Sequence, residues 1–132
     1  MINKGTTIRV ARPTDNLNSI ADMYQKGLGF NVLAKFEDHD GFDGIVLGFP
    51  GESYHIEFTH HKGTTVGHAP TRDNLLVFYI EKSDQWKQAC LQAKSAGFKE
   101  VESYNPYWDV LGSTYEDIDG YRVVLQNGAW SD

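Results

Sequence analysis

The stretch Tyr54–His61, with the sequence YHIEFTHH, places three of the chain's five histidines beside one glutamate. Histidine nitrogens and carboxylate oxygens are ligands of zinc, nickel, manganese and iron(II) in proteins. The same residues also alternate between polar and apolar types, which is typical of a half-buried β-strand. The residue types alone therefore allow either a metal site or the polar face of an ordinary strand.

The alternation predicts which of these side chains lie together. Successive side chains of a strand point to opposite faces, so we expect His55 and Glu57 to share one face with Thr59. The apolar Ile56 and Phe58 then point toward a layer of helices. The alternation therefore predicts a polar wall in which a histidine and a carboxylate lie side by side.

The trailing histidines, His60 and His61, open the segment HHKGTTVGHAPTRD, which has no periodicity and is rich in glycine, proline and polar residues. Such a composition is typical of an exposed connector, and we expect both residues to leave the sheet there, near His68. Solvated loop histidines are the simpler interpretation. A metal site built from His55, Glu57 and one of these three histidines is the alternative.

Each half of the chain predicts a strand, a helix and three further strands. In the first half, apolar residues recur at i, i+3, i+4, i+7 and i+11 from Leu17, as on an amphipathic helix. Gly29-Phe30 and Gly97-Phe98 follow the two helices, and YHIEF matches YRVVL as the fourth strand of each half. This self-similarity predicts an α+β fold made of two tandem βαβββ modules.

Two segments, DNLNSIADMYQKGLGF and EDIDGYRVVLQN, resemble the first helix and the final turn and strand of the vicinal oxygen chelate superfamily. That superfamily includes glyoxalase I, bleomycin- and fosfomycin-resistance proteins and extradiol dioxygenases. RVARPT and NPYW look most like the small uncharacterised glyoxalase-like proteins of bacilli. The resemblance covers nearly the whole chain and implies sheets that curl into half-barrels lining a cleft. It implies one domain over residues 1–132, with module one at about 6–60, a connector at about 61–73 and module two at about 74–128.

Metal-dependent members of the superfamily place one ligand on the first strand and one on the fourth strand of each module. Carried over by position, Glu57 matches the carboxylate ligand, while Arg9, Leu75 and Val124 stand at the other three positions. Arginine is always protonated and repels a cation, and leucine and valine have no donor atoms. A catalytic metal needs about three protein ligands. We therefore expect no cofactor, and a divalent metal, if bound, would use Glu57.

Arg9 facing Glu57 would pair a guanidinium with a carboxylate. That pair is either a structural ion pair or, with His55, a polar floor that fixes an anionic or amide-bearing ligand. Tyr107 and Trp108 follow an Asn-Pro turn in a loop, where two aromatic rings are suited to stack on a planar ligand. Packing under the loop or across a dimer seam is the alternative for these two rings.

Together these residues predict a metal-independent small-molecule binding protein of the glyoxalase/bleomycin-resistance type. Its ligand-binding residues are Arg9, His55, Glu57, Tyr107 and Trp108. The alternative is a glyoxalase-like lyase or isomerase with Glu57 and His55 as its catalytic residues. In that case Glu57 is the general base, or the ligand of an atypical metal site, and His55 carries a proton.

Composition narrows the expected partners and location. The formal net charge is −6 and no cluster of Lys or Arg is present, which argues against nucleic acid. The sequence has no apolar run long enough for a membrane and no secretory leader, and its single cysteine, Cys90, can form no internal disulfide. We expect a cytoplasmic protein, and the resemblance implies a homodimer. Arg12, which precedes Pro13 at a strand end, is expected to be an exposed surface arginine, and a position at the border of the cleft mouth is the alternative.

Overall fold

The computed structural model describes residues 1–131, and the first half of the chain forms a four-stranded sheet with one helix. The elements in chain order are β1 (Ile8–Pro13), α1 (Leu17–Leu28), β2 (Asn31–His39), β3 (Phe42–Gly48) and β4 (Tyr54–His61). The strand order is β1-β4-β3-β2. β1 runs parallel to β4, and the other neighbours are antiparallel.

The second half repeats this arrangement. Its elements are β5 (Leu75–Tyr79), α2 (Ser83–Ser95), β6 (Lys99–Val101), a 3₁₀ helix (Pro106–Asp109), β7 (Gly112–Glu116) and β8 (Arg122–Gln126). The strand order is β5-β8-β7-β6, again with the first strand parallel to the last. The prediction of an α+β fold with two tandem βαβββ modules is confirmed. No helix among residues 1–131 is long and apolar enough to span a membrane.

The described chain divides into two compact units. The first unit contains residues 1–25 and 29–67, and the second contains residues 26–28 and those from 68 onward. Helix α1 ends at Gly29, whose φ of 78° is left-handed and whose N–H donates to the carbonyl of Gln25 at 3.0 Å. Glycine suits this position because it has no Cβ to oppose a positive φ.

Apolar side chains of α1 and of alternate β4 residues form the core of the first unit. Ile20, Tyr24 and Phe58 are fully buried, and Ile56 is 3% exposed. The Tyr24 and Phe58 rings lie 4.9 Å apart in a tilted pair. Burying each of these side chains contributes about 1.5–3 kcal/mol. The predicted helix-facing side of β4 is thus the buried side.

The core of the second unit is formed by α2 and by β7 and β8. Cys90 and Ala93 of α2 are buried, as are Tyr115, Val123 and Leu125. Burial raises the pKa of the Cys90 thiol and of the Tyr115 hydroxyl, and both groups therefore stay neutral at physiological pH. Cys90 is accordingly a packed core residue.

Two expectations about single side chains are wrong. His60 and His61 do not leave the sheet, because β3 begins as early as Phe42 and its first two residues pair with both histidines on β4. Arg12 is not exposed but 7% accessible. Its position on β1 is opposite Phe58, on the face of the sheet that packs on α1, so the side chain points into the core.

Candidate functional site

Arg9, His55 and Glu57 come together on the face of the first sheet that points away from its core. In the parallel pairing, Arg9 lies opposite His55 and Ala11 lies opposite Glu57. Nε of Arg9 donates a hydrogen bond to Nδ1 of His55 at 3.1 Å. Nη1 of Arg9 donates to Oε2 of Glu57 at 3.4 Å. We call these three residues the arginine cluster.

The arginine assigns the proton positions in the cluster. Arginine has no acceptor atom, so Nδ1 of His55 must supply a lone pair to the Nε–H of Arg9. His55 is therefore the neutral tautomer that carries its proton on Nε2. Among residues 1–131, no buried side-chain nitrogen or oxygen lacks a hydrogen-bond partner. The contacts with Arg9 provide no partner for Nε2 of His55 or for Oε1 of Glu57. Both atoms must therefore reach solvent.

Partial exposure keeps the Arg9–Glu57 contact modest as a source of stability. The Arg9 side chain is 46% exposed and the Glu57 side chain is 14% exposed. An ion pair this accessible contributes about 0–1 kcal/mol to folding. A structural ion pair alone therefore does not explain why three polar side chains lie together on this face.

Glycines and one aromatic ring shape the neighbouring surface. Gly44 and Gly48 of β3 pair with Thr59 and His55, so they belong to the same face as the cluster. A Cβ added to Gly44 would overlap the ring of Phe36, which lies on the same face. Sequence reasoning missed Phe36. The signal that would have identified it is a glycine paired with a large aromatic residue on the adjacent strand.

The second unit has a different composition at the corresponding positions. On the first strand, Leu75 takes the position that Arg9 has in the first unit. On the last strand, Val124 takes the position of Glu57, two residues after the partner of Leu75. Leu75 and Val124 thus stand at the positions that the sequence comparison of the modules gave them. Among residues 1–131, no three His, Cys, Asp or Glu side chains lie close enough to hold a metal ion.

The remaining histidines have other surroundings. His60 points to the core side of the sheet, and its Nδ1 lies 3.0 Å from the carbonyl oxygen of Thr14. The His61 ring stacks on Phe42, with centroids 4.3 Å apart and an interplanar angle of 10°. His68 belongs to the second unit. These contacts bring neither His60 nor His61 into the arginine cluster.

Tyr107 and Trp108 lie in the second unit, in the 3₁₀ helix rather than in an irregular loop. The Asn105 side chain accepts a hydrogen bond from the Tyr107 N–H at 3.1 Å and so caps this helix. Gln126 donates to the Trp108 carbonyl at 2.9 Å, which fixes the segment to β8. Tyr107 is 65% exposed, and the two rings meet edge to face at 5.0 Å. Tyr107 therefore presents its ring to solvent from a backbone that hydrogen bonds hold in place.

One carboxylate in the first unit, that of Asp15, has a lowered pKa. Asp15 accepts hydrogen bonds from the backbone N–H groups of Val66 and Gly67, both at 2.9 Å. These two bonds lower the pKa of Asp15 below its usual range, with Val66 the larger cause. Asp15 thus fixes the connector to the start of α1, which is a structural role.

The fold is the glyoxalase/bleomycin-resistance fold of the vicinal oxygen chelate superfamily. Residues 8–59 match the YycE-like N-terminal domain, and residues 73–127 match the YycE-like C-terminal domain. The uncharacterised protein YycE of Bacillus subtilis (strain 168) is 42% identical over 120 residues, covering 91% of this chain and 86% of that protein. The chain therefore belongs to the YycE-like family.

Solved structures agree with this assignment. A crystal structure of a Bacillus subtilis YycE protein of unknown function, provisionally described as a glyoxalase/fosfomycin resistance protein, superposes with a TM-score of 0.89 at 39% identity. The match covers 97% of this chain and 93% of that one. The fosfomycin resistance protein FosX of Mesorhizobium loti gives a TM-score of 0.72 at 10% identity, covering 98% and 94% of the two chains. The trypanothione-dependent glyoxalase I of Leishmania major gives 0.71 at 17%, covering 92% and 86%. The last two share the fold.

Proposed function

We propose that this protein binds a small anionic or amide-bearing molecule without a metal, through the arginine cluster. The observation that supports this most is that a single guanidinium contacts both Nδ1 of His55 and Oε2 of Glu57. Both of these atoms are of the kinds that ligate divalent metals, and here a guanidinium occupies them instead. Because arginine stays protonated at physiological pH, Arg9 is a permanent cation in the place where a metal ion would otherwise supply charge.

The hydrogen-bonding groups of the cluster define the ligand that it suits. Arg9 retains N–H groups beyond the two that contact its neighbours, and His55 presents its Nε2–H. These donors suit a carboxylate or carbonyl oxygen of the ligand. Oε1 of Glu57 is an acceptor for a ligand N–H or O–H. A molecule with an acceptor and a donor on neighbouring atoms, such as a primary amide or a hydroxy acid, satisfies both kinds of group.

Stacking by Tyr107 and Trp108 stays part of the proposal and has its own test. Tyr107 is exposed on a hydrogen-bonded backbone, and its ring is therefore available to stack on a planar ligand. If any ligand found in a screen binds Tyr107→Ala and Trp108→Ala as well as it binds the parent, stacking by these residues is wrong. The arginine cluster would be unaffected by that result.

The binding proposal is tested by titration calorimetry of tag-free protein with small carboxylates, hydroxy acids and primary amides. We expect Arg9→Ala to weaken a bound compound at least about tenfold, which is about 1.4 kcal/mol. Arg9→Lys should recover only part of this, since lysine lacks the planar fork. Lys87→Ala, which removes an exposed positive charge of the second unit outside both proposed sites, is the matched control. Equal affinity for parent and Arg9→Ala would contradict the proposal.

Metal independence is tested separately. Protein purified without chelator or affinity tag is equilibrated with zinc, nickel or manganese, and its bound metal is measured by mass spectrometry. We expect less than about one-tenth of a metal ion per chain. Stoichiometric metal that is lost in Glu57→Gln would show that Arg9 does not exclude the ion.

A second candidate function is a glyoxalase-like lyase or isomerase in which Glu57 acts as the general base. The observation that favours it is the pairing of one Glu57 oxygen with Arg9, which leaves Oε1 facing solvent on a side chain only 14% exposed. A carboxylate held in this way can take a proton from a carbon acid. The test is proton–deuterium exchange at the α-carbon of 2-oxoaldehyde thiohemiacetals. A metal-free rate that survives Glu57→Gln would exclude this role.

A further inference from the structure

The second unit carries an open groove that the proposed function does not use. Its volume is about 820 Å³, which is within the range of small-molecule sites. The connector from His68 to Asp73 supplies most of its lining, and Tyr104, Glu116 and Gly120 complete it. We call this cavity the connector groove.

Backbone hydrogen bonds fix the two segments that frame the connector groove. The N–H of Ala69 donates to the carbonyl of Asp119 at 2.8 Å, which ties the connector to the turn between β7 and β8. In that turn, Oδ1 of Asp117 accepts the N–H of Asp119 at 2.8 Å. A Cβ on Gly120 would lie 3.2 Å from Nδ1 of His68, so the glycine leaves room for the imidazole. The groove is therefore formed before any ligand arrives.

The charges in the groove favour an anion with a single charge. The guanidinium of Arg72 makes no hydrogen bond or ion pair within residues 1–131 and is solvent-accessible. The Glu116 carboxylate is already paired, because Nε of Arg122 donates to it at 3.2 Å from a side chain that is 9% exposed. Asp73 also lines the groove, so these two guanidiniums and two carboxylates formally cancel. Arg72 is the guanidinium of the two that has no partner, so the groove suits one carboxylate, and a polyanion gains little more than a monoanion.

Tyr104 supplies the apolar surface of the same groove. Tyr104 is 68% exposed, although a tyrosine ring gains by covering its faces. The N–H of the preceding residue, Ser103, donates to the Asp109 carboxylate at 3.1 Å, so the backbone beside Tyr104 is anchored. An accessible aromatic ring and an unpaired guanidinium that line one cavity suit a planar ring bearing one carboxylate.

We propose that the connector groove binds a small aromatic monocarboxylate, with Arg72 and His68 at the carboxylate and Tyr104 at the ring. This site belongs to the second unit and uses none of the residues of the arginine cluster. Its success or failure is therefore independent of the function proposed above.

The experiment is a titration of ¹⁵N-labelled protein with benzoate, followed by amide shifts in two-dimensional NMR. Cyclohexanecarboxylate controls for the flat ring and benzamide controls for the charge. We expect saturable benzoate shifts at the amides of Ala69, Thr71 and Gly120, and at least about fivefold weaker binding of either control compound. Arg72→Ala should weaken benzoate at least about tenfold, and Tyr104→Leu should remove the preference over cyclohexanecarboxylate.

Arg9→Ala is the matched control and should leave the benzoate shifts in the groove unchanged. Three results would overturn the proposal. These are an absence of saturable shifts at these amides up to about 10 mM benzoate, equal binding by parent and Arg72→Ala, or shifts that centre on His55 and Glu57 instead. The spectra also report whether each variant is folded, so a misfolded protein is not mistaken for a lost site.

Discussion

Arg9 and Arg12 lie three residues apart on β1 and point to opposite faces of the sheet, so the same substitution at each position should have very different effects. Arg9 is 46% exposed in its side chain and pairs with Glu57 across 3.4 Å. Removing such a pair costs about 0–1 kcal/mol in the free energy of unfolding. Arg9→Ala should therefore weaken ligand binding while leaving the stability nearly unchanged.

Arg12→Ala removes several buried contacts at once. Nη1 of Arg12 donates to the Tyr24 hydroxyl at 3.3 Å, and its guanidinium lies 5.9 Å from the centroid of the Phe58 ring. A hydrogen bond contributes about 0.5–1.5 kcal/mol, and a partly desolvated cation–π contact contributes about 1 kcal/mol. The buried aliphatic stem adds about 1 kcal/mol. The expected loss of stability is about 2–4 kcal/mol.

The assay is urea unfolding followed by far-ultraviolet circular dichroism near physiological salt. For an m value of about 2 kcal/mol per molar, Arg12→Ala should lower the midpoint by about 1–2 M and Arg9→Ala by less than about 0.5 M. Arg12→Met keeps an apolar stem and should fall between them. A loss above about 2 kcal/mol for Arg9→Ala, or below about 1 kcal/mol for Arg12→Ala, would refute the division of roles.

Three further predictions concern other sites. Two backbone N–H groups lower the pKa of Asp15 below its ordinary value of 3.8. The ionised Asp15 therefore stabilises the fold above about pH 4, and this effect is lost as the pH falls through the lowered pKa. The stability difference between parent and Asp15→Asn, measured by urea unfolding, should shrink between pH 6 and pH 2. Burial raises the pKa of the Cys90 thiol above its ordinary value of 9.0, so Ellman's reagent at pH 8 should react with the folded protein at least about tenfold more slowly than with the unfolded chain. Gly44→Ala forces a methyl group into the ring of Phe36 and should lower the free energy of unfolding by about 1–3 kcal/mol in urea. The loss should be smaller in a Phe36→Leu background if the ring is the obstacle.

Much of the fold was predictable because both modules carry the same periodic signals. Alternation on β4 correctly separated Glu57 from Phe58, and Gly29 correctly marked the end of α1. These features depend on local periodicity and on backbone conformation, which short stretches of sequence express directly. The same alternation also brought Arg9 to the face of Glu57, where the structure has it.

The errors involved interactions between distant segments. Arg12 was expected at the surface because it precedes Pro13 at the end of a strand. Its side chain instead belongs to the face of β1 that points toward Phe58 and Tyr24. His61 stays in the sheet because Phe42, 19 positions earlier in the chain, stacks on its ring. Cross-strand partners of this kind decide where these side chains lie, and the local sequence pattern does not contain those partners.

Pairing the first strand of each unit with its last strand sets the order in which the chain can fold. Arg9 meets His55 across 46 positions, whereas β2, β3 and β4 are joined by short connections and pair as neighbours. During synthesis, β1 therefore leaves the ribosome long before its partner exists, and it must wait while the local antiparallel strands assemble. Closing that long loop is the step with the largest entropic cost. We therefore expect the arginine cluster to be among the last features of its unit to form.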